Sequence, residues 1–437
     1  MNTDAKSKVA VVRCSSYDRK EVERAVAKAV HLLGGFGAVF SELTRGSRIV
    51  LKPNLLTKAE PEKAVTTHPE VFRAVGTLLK EAGYVNLVYG DSQGNPMHAP
   101  EKTAESCGIK AVADELRISM GDFDRGRKVS FPEGSAARQF VLCNEIANLV
   151  ENPEQAGGIV NICKMKTHQL ERITGAVKNT FGCVYGMNKP ATHASFESPE
   201  HFAKMLADLN RLVKPQLHIM DGILAMEGNG PGSGDPIHMY VILASTDPVA
   251  LDTTFCNLIN LDPALVATNT AAAEAGVGNM DEEKIEVLLG NVPMRTEGEV
   301  ITMDELASKF GEKDFRVERG DNFRGGFRIM KFLAPLIHKR PVVVPEKCVG
   351  CGICVEACPV VPGKDGETKP IRLIDRVGTG SNGKAEKEGK GVKSGKVATY
   401  DYSECIGCYC CQEMCPEKAI ATKKSLLLKI IDRRWEM

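Results

Sequence analysis

Eight cysteines near the C-terminus carry the clearest chemistry. They stand as Cys348-x2-Cys351-x2-Cys354-x3-Cys358-Pro359 and Cys405-x2-Cys408-x2-Cys411-x3-Cys415-Pro416. Each half is C-x2-C-x2-C-x3-C-P, a spacing that wraps a chain around a [4Fe–4S] cube. The cube needs four thiolates at tetrahedral corners. Three short steps supply three of them, and the fourth Cys, followed by Pro, points to the other cluster. Two [4Fe–4S] clusters with crossed ligands are therefore expected. Cys348, Cys351, Cys354 and Cys415 hold one; Cys405, Cys408, Cys411 and Cys358 hold the second. A zinc site takes its ligands as two pairs, which leaves the third Cys and the C-x3-C-P of each half unexplained. Cys410 is an extra thiol beside Cys411 and a candidate substitute ligand.

A second collection of reactive side chains lies at the ends of apolar runs. Lys52-Pro53-Asn54 follows the run at 48–51, Gly90-Asp91-Ser92 the run at 85–89, and Lys164-Met-Lys166-Thr-His168 the run at 158–163. Asp221-Gly222 follows 216–220, and Ser245-Thr246-Asp247 follows 239–244. Ligands of open α/β sheets bind outside the carboxyl ends of the strands, so this is the polar rim of a candidate site. Lys164, Lys166 and His168 share one face if the strand continues through them. Two ammonium groups and an imidazole suit a carboxylate or phosphate, with the imidazole able to move protons near neutral pH. Asp91 and Asp221 are the candidate acids, although Asp91 and Asp247 also sit where helix caps belong. Lys178-Asn179 lies within reach. His68 reads as a helix cap, and His193 sits in a loop. Met226 to Pro236 is a Gly-rich loop with neither the Walker nor the G-x-G-x-x-G pattern.

The elements that must position these groups alternate between strands and helices. Strands read at 8–14, 48–55, 85–89, 158–163, 216–220, 239–244 and 285–290. Helices read at 18–33, 69–82, 171–183, 200–213, 248–259 and 264–275. The pattern predicts an α/β domain over 1–326, with a doubly wound, mostly parallel sheet and helices on both faces. A basic, apolar connector at 327–344 leads to a small α+β iron–sulfur domain at 345–425. That domain carries a Gly- and Lys-rich insert at 378–396, and a tail follows at 426–437.

Composition narrows the classes. The 437 residues balance 56 Lys and Arg against 56 Asp and Glu, which offers no basic field for nucleic acid. No apolar run is long enough to span a bilayer, so integral membrane insertion is not expected. The seven cysteines outside the two motifs are odd in number and irregularly spaced, which argues against a disulfide framework and for a reducing cytoplasm.

The strand-end residues also resemble a known family. Lys52-Pro-Asn, Gly90-Asp91-Ser, Lys164-x-Lys166-x-His168, Thr174-Gly-Ala-Val-Lys178-Asn179, Asp221-Gly-Ile with Glu227-Gly-Asn-Gly-Pro231, and Asp247-Pro-Val-Ala-Leu-Asp252 look like the domain-of-unknown-function family DUF362. Its members are often fused to a ferredoxin domain. The resemblance implies a bacterial-type ferredoxin half, and a site whose residues coincide with the strand-end rim, without naming a reaction. Cys358-Pro-Val-Val-Pro departs from the ferredoxin pattern kept at Pro416-Glu-Lys-Ala-Ile420, and the insert between the motifs is long.

The expectation is an oxidoreductase. Two clusters would relay electrons between a soluble redox protein and a small anionic substrate or cofactor in the α/β domain. Lys52, Lys164, Lys166 and Lys178 would neutralise it; His168, Asp91 and Asp221 would handle protons. The rivals are an electron-transfer subunit that docks to a larger complex, and a non-redox enzyme whose clusters are structural or sense oxygen. No flavin motif is evident, and the sequence leaves a flavin open.

Overall fold

The computed structural model describes residues 6–94, 99–153, 157–186, 189, 192, 195–196, 198–290, 298–320, 339–360, 369–376 and 395–423. His193, most of the 327–344 connector, nearly all of the 378–396 insert and the 426–437 tail lie outside them. Two compact units result: Met1–Lys189 with Ser198–Val317, and Pro190–Glu197 with Glu318–Met437.

The first unit contains strands β1 (Ser7–Arg13), β2 (Ile49–Pro53), β3 (Leu87–Tyr89), β4 (Ser119–Met120), β5 (Gly126–Ser130), β6 (Gln139–Cys143), β7 (Gly158–His168), β8 (Arg172–Thr174), β9 (Leu217–Glu227), β10 (Asp235–Ser245), β11 (Ile285–Gly290) and β12 (Glu299–Ile301). Its helices are α1 (Arg19–Leu32), α2 (Gly35–Val39), α3 (Pro69–Glu81), α4 (Pro100–Ser106), α5 (Ile109–Glu115), α6 (Asn144–Glu151), α7 (Ala176–Asn179), α8 (Pro199–Val213), α9 (Pro248–Leu258), α10 (Ala267–Glu274) and α11 (Met303–Phe310). Ten strands form one sheet in the order β12-β11-β1-β10-β9-β7-β2-β3-β4, with β8 paired to β7. The pairings β1–β11, β2–β7, β2–β3, β3–β4 and β7–β9 are parallel. Only β10, β12 and β8 run against the rest.

Burial on both faces explains why the strands read as unbroken apolar runs. In β1, Ala10 and Val12 enter one core, with Val22 and Val26 of α1 and Val71 and Phe72 of α3. Val9 and Val11 enter the opposite core, with Phe255 and Leu258 of α9. Helix starts follow local chemistry. Asp18 accepts from Lys20 N and Glu21 N to open α1. Asp247 caps α9, and Pro248 takes its first position, where a missing N–H does no harm.

Strand order reverses between β2 and β7. From β2 the chain moves outward through β3 and β4; from β7 it moves the other way through β9 and β10. Crevices at such a switch point are where open α/β sheets hold ligands.

Several expectations change. The helix expected at 171–183 is the short strand β8, the one-turn helix α7 and a 3-10 turn at Thr180–Cys183. Arg172 at φ 62° and the close approach of Gly175 to Asp252 interrupt any continuous helix. Strands β7, β9 and β10 are each 11 residues long, so the Gly-rich loop shrinks to 228–234. The hairpin β5–β6 and the helices over 100–115 belong to a stretch whose periodicity predicts no element.

The second unit pairs β13 (Arg340–Val343) with β16 (Ile420–Lys423), and β14 (Ile371–Asp375) with β15 (Lys396–Tyr400). One short helix follows the start of each cysteine motif: α12 (Ile353–Glu356) and α13 (Cys410–Glu413). Gly352 and Tyr409, at φ 82° and 62°, turn the chain into them. The second turn therefore puts a left-handed backbone on a residue other than Gly, a disfavoured conformation.

Candidate functional site

The residues expected to form a polar rim in the first unit are folded inward. Lys52, Lys164, Lys166 and Asp221 are fully buried, and Asp91 and His168 nearly so. Strand β7 does continue through His168, with an irregularity between Lys164 and Lys166 in its pairing to β9. Lys166 turns toward the segment that follows β2. Lys166 Nζ donates to Asn54 Oδ1 at 2.9 Å and to Val65 O at 2.6 Å. Thr67 Oγ1 accepts from Asn54 N at 2.8 Å and donates to Ile162 O at 2.7 Å, tying the end of β2 to β7.

Lys164 makes the tighter of the two ion pairs among these residues. Its Nζ lies 2.7 Å from Asp221 Oδ2, its register partner on β9. Tyr17 Oη accepts from Lys164 Nζ at 3.0 Å and from Leu224 N at 3.1 Å, and donates to Asp221 Oδ1 at 2.8 Å. His68 N donates to the other Asp221 oxygen at 2.9 Å. The Tyr17 and His68 rings stack 3.4 Å apart, both half-buried, and cover the buried ion pair. Burial pushes the His68 imidazole down to about 4, so it is neutral near pH 7. Its Nδ1 accepts from Glu70 N at 3.2 Å, the expected cap of α3. Burial, followed by the Asp221 charge, holds the Tyr17 phenol well above its ordinary range. Burial pulls Lys164 down, while Asp221 opposes that shift.

A second ion pair joins β2 to the segment after β3. Lys52 Nζ lies 3.0 Å from Asp91 Oδ1, and Asp91 Oδ2 accepts from Leu55 N at 2.7 Å. Asp91 is therefore an ion-pair partner and not a helix cap. Lys189 donates to Ser92 O nearby, and burial lowers its pKa to about 8.

A chain of amides connects Lys166 to the far side of the sheet. Asn54 Nδ2 donates to Asn179 Oδ1 at 2.8 Å, and Asn179 Nδ2 to Asn161 Oδ1 at 2.6 Å. Asn161 Nδ2 lies 3.0 Å from His218 Nδ1. Helix α7 holds Asn179 in this chain because Asp252 accepts from Ala176 N at 2.6 Å and from Val177 N at 3.0 Å. Burial raises the Asp252 carboxyl to about 7.

Two expected members stand apart from these contacts. Lys178 Nζ faces the Phe181 and Phe202 rings at 5.8 and 5.9 Å. His168 Nδ1 accepts from Leu170 N and Glu171 N, both at 3.1 Å, and so shapes the turn after β7. Asp221 lies inside β9 rather than at its end, because that strand extends to Glu227. Tyr17, Asn161 and His218 belong to the network and carry no sequence motif. The only signal for Asn161 and His218 was a polar residue inside an otherwise apolar strand.

In the second unit the eight motif cysteines separate into two quartets. Cys348, Cys351, Cys354 and Cys415 line one cavity, with about 360 Å³ of atom-free space, open solvent included. Cys358, Cys405, Cys408 and Cys411 line the other, with about 330 Å³. Each quartet takes its fourth member from the opposite motif. Among the described residues no three His, Cys, Asp or Glu side chains converge as they would on a single metal ion. Each quartet instead surrounds a cavity, which suits a cube better than an ion. Electrostatics agrees with the grouping. Burial, then the charges of Cys415, Cys351 and Cys348, push Cys354 up to about 12. Burial raises Cys405, with Cys408 and Cys358 adding to it. Thiolates crowded in this way are stabilised by a positively charged core of iron. Cys410 is buried and lines neither cavity; its thiol donates to Cys408, which that bond holds below its ordinary value.

The family model for a domain of unknown function, DUF362, matches residues 49–257, and that for a 4Fe-4S dicluster domain matches 340–416. The thylakoid-associated protein sll1697 of Synechocystis sp. is 33% identical over 270 residues, 62% of this chain and 79% of that protein. The chain belongs to the DUF362 family. The DUF362 segment contains both ion pairs and the amide chain, while Tyr17 lies before it. The dicluster segment contains all eight motif cysteines, so this DUF362 protein carries an iron–sulfur domain with an electron-transfer role.

Proposed function

We propose that this DUF362 protein is an iron–sulfur oxidoreductase with two [4Fe–4S] clusters. The observation that carries the reading is the separation of eight cysteines into two quartets around two cavities. Cys348, Cys351, Cys354 and Cys415 would hold one cluster; Cys358, Cys405, Cys408 and Cys411 would hold the other. When bound, such clusters supply one-electron storage and transfer.

The reacting site is the crevice at the switch point between β2 and β7. Its substrate is a small anion or anionic cofactor. Lys166 brings positive charge there, Lys52 and Lys164 being paired with Asp91 and Asp221, and Tyr17 with His68 forms the half-buried lip above Lys164 and Asp221. Lys164, Asp221 and Tyr17 already share hydrogen bonds, so a proton taken at the lip has a path to a buried carboxylate. Asp91 neutralises Lys52, and His168 holds the turn that ends β7. The electron donor or acceptor is a separate soluble redox protein. Among the described residues no helix is long and apolar enough to cross a membrane. We place the protein in the cytoplasm; the relative's name sets a membrane-surface location as the rival outcome of cell fractionation.

The test is anaerobic purification with iron and sulfide counting, followed by a screen of small anions for reoxidation of the dithionite-reduced protein. About eight irons per chain, with reoxidation that is lost in Lys164→Met, is the expected result. About four irons or fewer removes the two-cluster reading. Full iron with no reoxidation by any anion, and rapid exchange with a ferredoxin, favours an electron-transfer subunit.

A further inference from the structure

The two cysteine quartets have the same spacing but different covers. One hairpin, β14–β15, lies over both cavities. Its register pairs Leu373 with Ala398, and Ile371 with Tyr400. Residues two apart on a strand share a face, so both pairs point the same way. Leu373 and Ala398 line the cavity of Cys348, Cys351, Cys354 and Cys415. Ile371 and Tyr400 line that of Cys358, Cys405, Cys408 and Cys411. Of these four covering side chains, only Tyr400 has a hydrogen to donate. Its hydroxyl donates to Cys411 Sγ at 3.0 Å. Main-chain N–H groups donate to both quartets, Ala419 to Cys415 Sγ at 3.2 Å in the first and Val360 and Gly407 to Cys358 and Cys405 in the second, and the Cys410 thiol adds a donor to Cys408 that Tyr400→Phe leaves in place.

We propose that Tyr400 is a tuning residue: its hydrogen bond to Cys411 raises the midpoint potential of the second cluster and so adds to the difference between the two clusters. The proposal rests on the two-cluster reading above. An added electron puts more negative charge on the ligand sulfurs. A hydrogen-bond donor stabilises that charge more in the reduced state than in the oxidised one. The ring is held independently of the hydroxyl, because Tyr400 stacks on Tyr402 with centroids 5.3 Å apart. Tyr400→Phe therefore removes the hydrogen bond and keeps the packing.

The experiment is an anaerobic redox titration of the full chain with dithionite, followed by electron paramagnetic resonance. Wild type, Tyr400→Phe and Leu373→Val are compared, with iron and sulfide counted in each. In Tyr400→Phe one midpoint falls and the other stays. The expected change is about tenfold in the reduced-to-oxidised ratio at fixed potential, or about 59 mV for a one-electron couple. Leu373→Val, a packing control, lacks that selective fall. If Tyr400→Phe binds less iron, 3-fluorotyrosine at position 400 replaces it; this stronger donor of similar shape moves the same midpoint upward. Two midpoints that stay put, or that move together, in an iron-replete variant overturn the proposal. A wild-type count of about four irons instead overturns the two-cluster reading beneath it.

Discussion

At the scale of single residues, the α/β unit keeps its chemistry in buried ion pairs. Lys164 and Asp221 are both fully buried and 2.7 Å apart. A buried pair often contributes little net stability, but removing one partner leaves an uncompensated charge in a poor dielectric. Lys164→Met should therefore lower stability by about 3–5 kcal/mol, read as a shift in the denaturant midpoint. A shift below about 1 kcal/mol, typical of exposed pairs, would mean that water reaches Asp221. Asp252 gives a pH signature. Burial raises its folded pKa from 3.8 to about 7. Between those values the folded state binds the extra proton, so its contribution is full below about pH 4 and lost as pH rises toward 7. Asp252→Asn cannot ionise. From pH 5 to pH 7 it should gain on wild type by about 1.4 kcal/mol per pH unit at most. A difference that stays constant across that range contradicts the buried-acid assignment.

At the scale of elements, the site depends on how closely β2, β3 and the 3-10 turn at Thr180–Cys183 approach. A Cβ at Gly182 would lie 1.7 Å from Asp91 Oδ1 and 2.5 Å from Lys52 Nζ. Gly182→Ala must push the ion pair apart, with an expected loss of about 1–3 kcal/mol. Gly37→Ala is the control, because nothing lies within 4 Å of its added Cβ. Equal melting temperatures for the two variants would show that the turn relaxes freely around Asp91. The same closeness explains the short α7. Asp252 supplies its N-terminal acceptors from a different helix, so one turn suffices to hold Asn179 against Asn161 and Asn54.

At the scale of the whole molecule, the crossed quartets make the two cysteine motifs interdependent. Cys358 belongs by sequence to the first motif and by position to the second cavity. Cys358→Ser and Cys405→Ser should each lose about four irons and leave the same residual resonance spectrum. Cys354→Ser and Cys415→Ser should leave the other. If Cys358→Ser matches Cys354→Ser instead, each motif binds its own cluster and the crossing is wrong. The units also differ in how much of their chemistry is enclosed. Lys52, Lys164 and Asp221 have no exposed surface, whereas Cys351 is exposed and Cys358, Cys405, Cys408 and Cys415 are partly so.

The amino-acid sequence by itself determined the cysteine spacing, the alternation of strands and helices, and the polar ends of β2, β3 and β7. These are local properties. A C-x2-C step or an apolar run is set by neighbours along the chain, and solvent exclusion makes it legible. The sequence also placed Lys52, Lys164 and Lys166 toward strand ends, which converge on one edge of a parallel sheet. Tertiary structure alone decided their partners. Lys164 pairs with Asp221 because β7 lies beside β9, and Lys52 reaches Asp91 because β3 lies beside β2. Strand order depends on distant packing that no single segment encodes. For the same reason Tyr17, 204 positions from Asp221, carried no signal, and His168 proved to shape a turn. The difference between the two cysteine quartets also had to wait for the fold. Only the register of β14 against β15 puts Tyr400 over one cavity and Ala398 over the other.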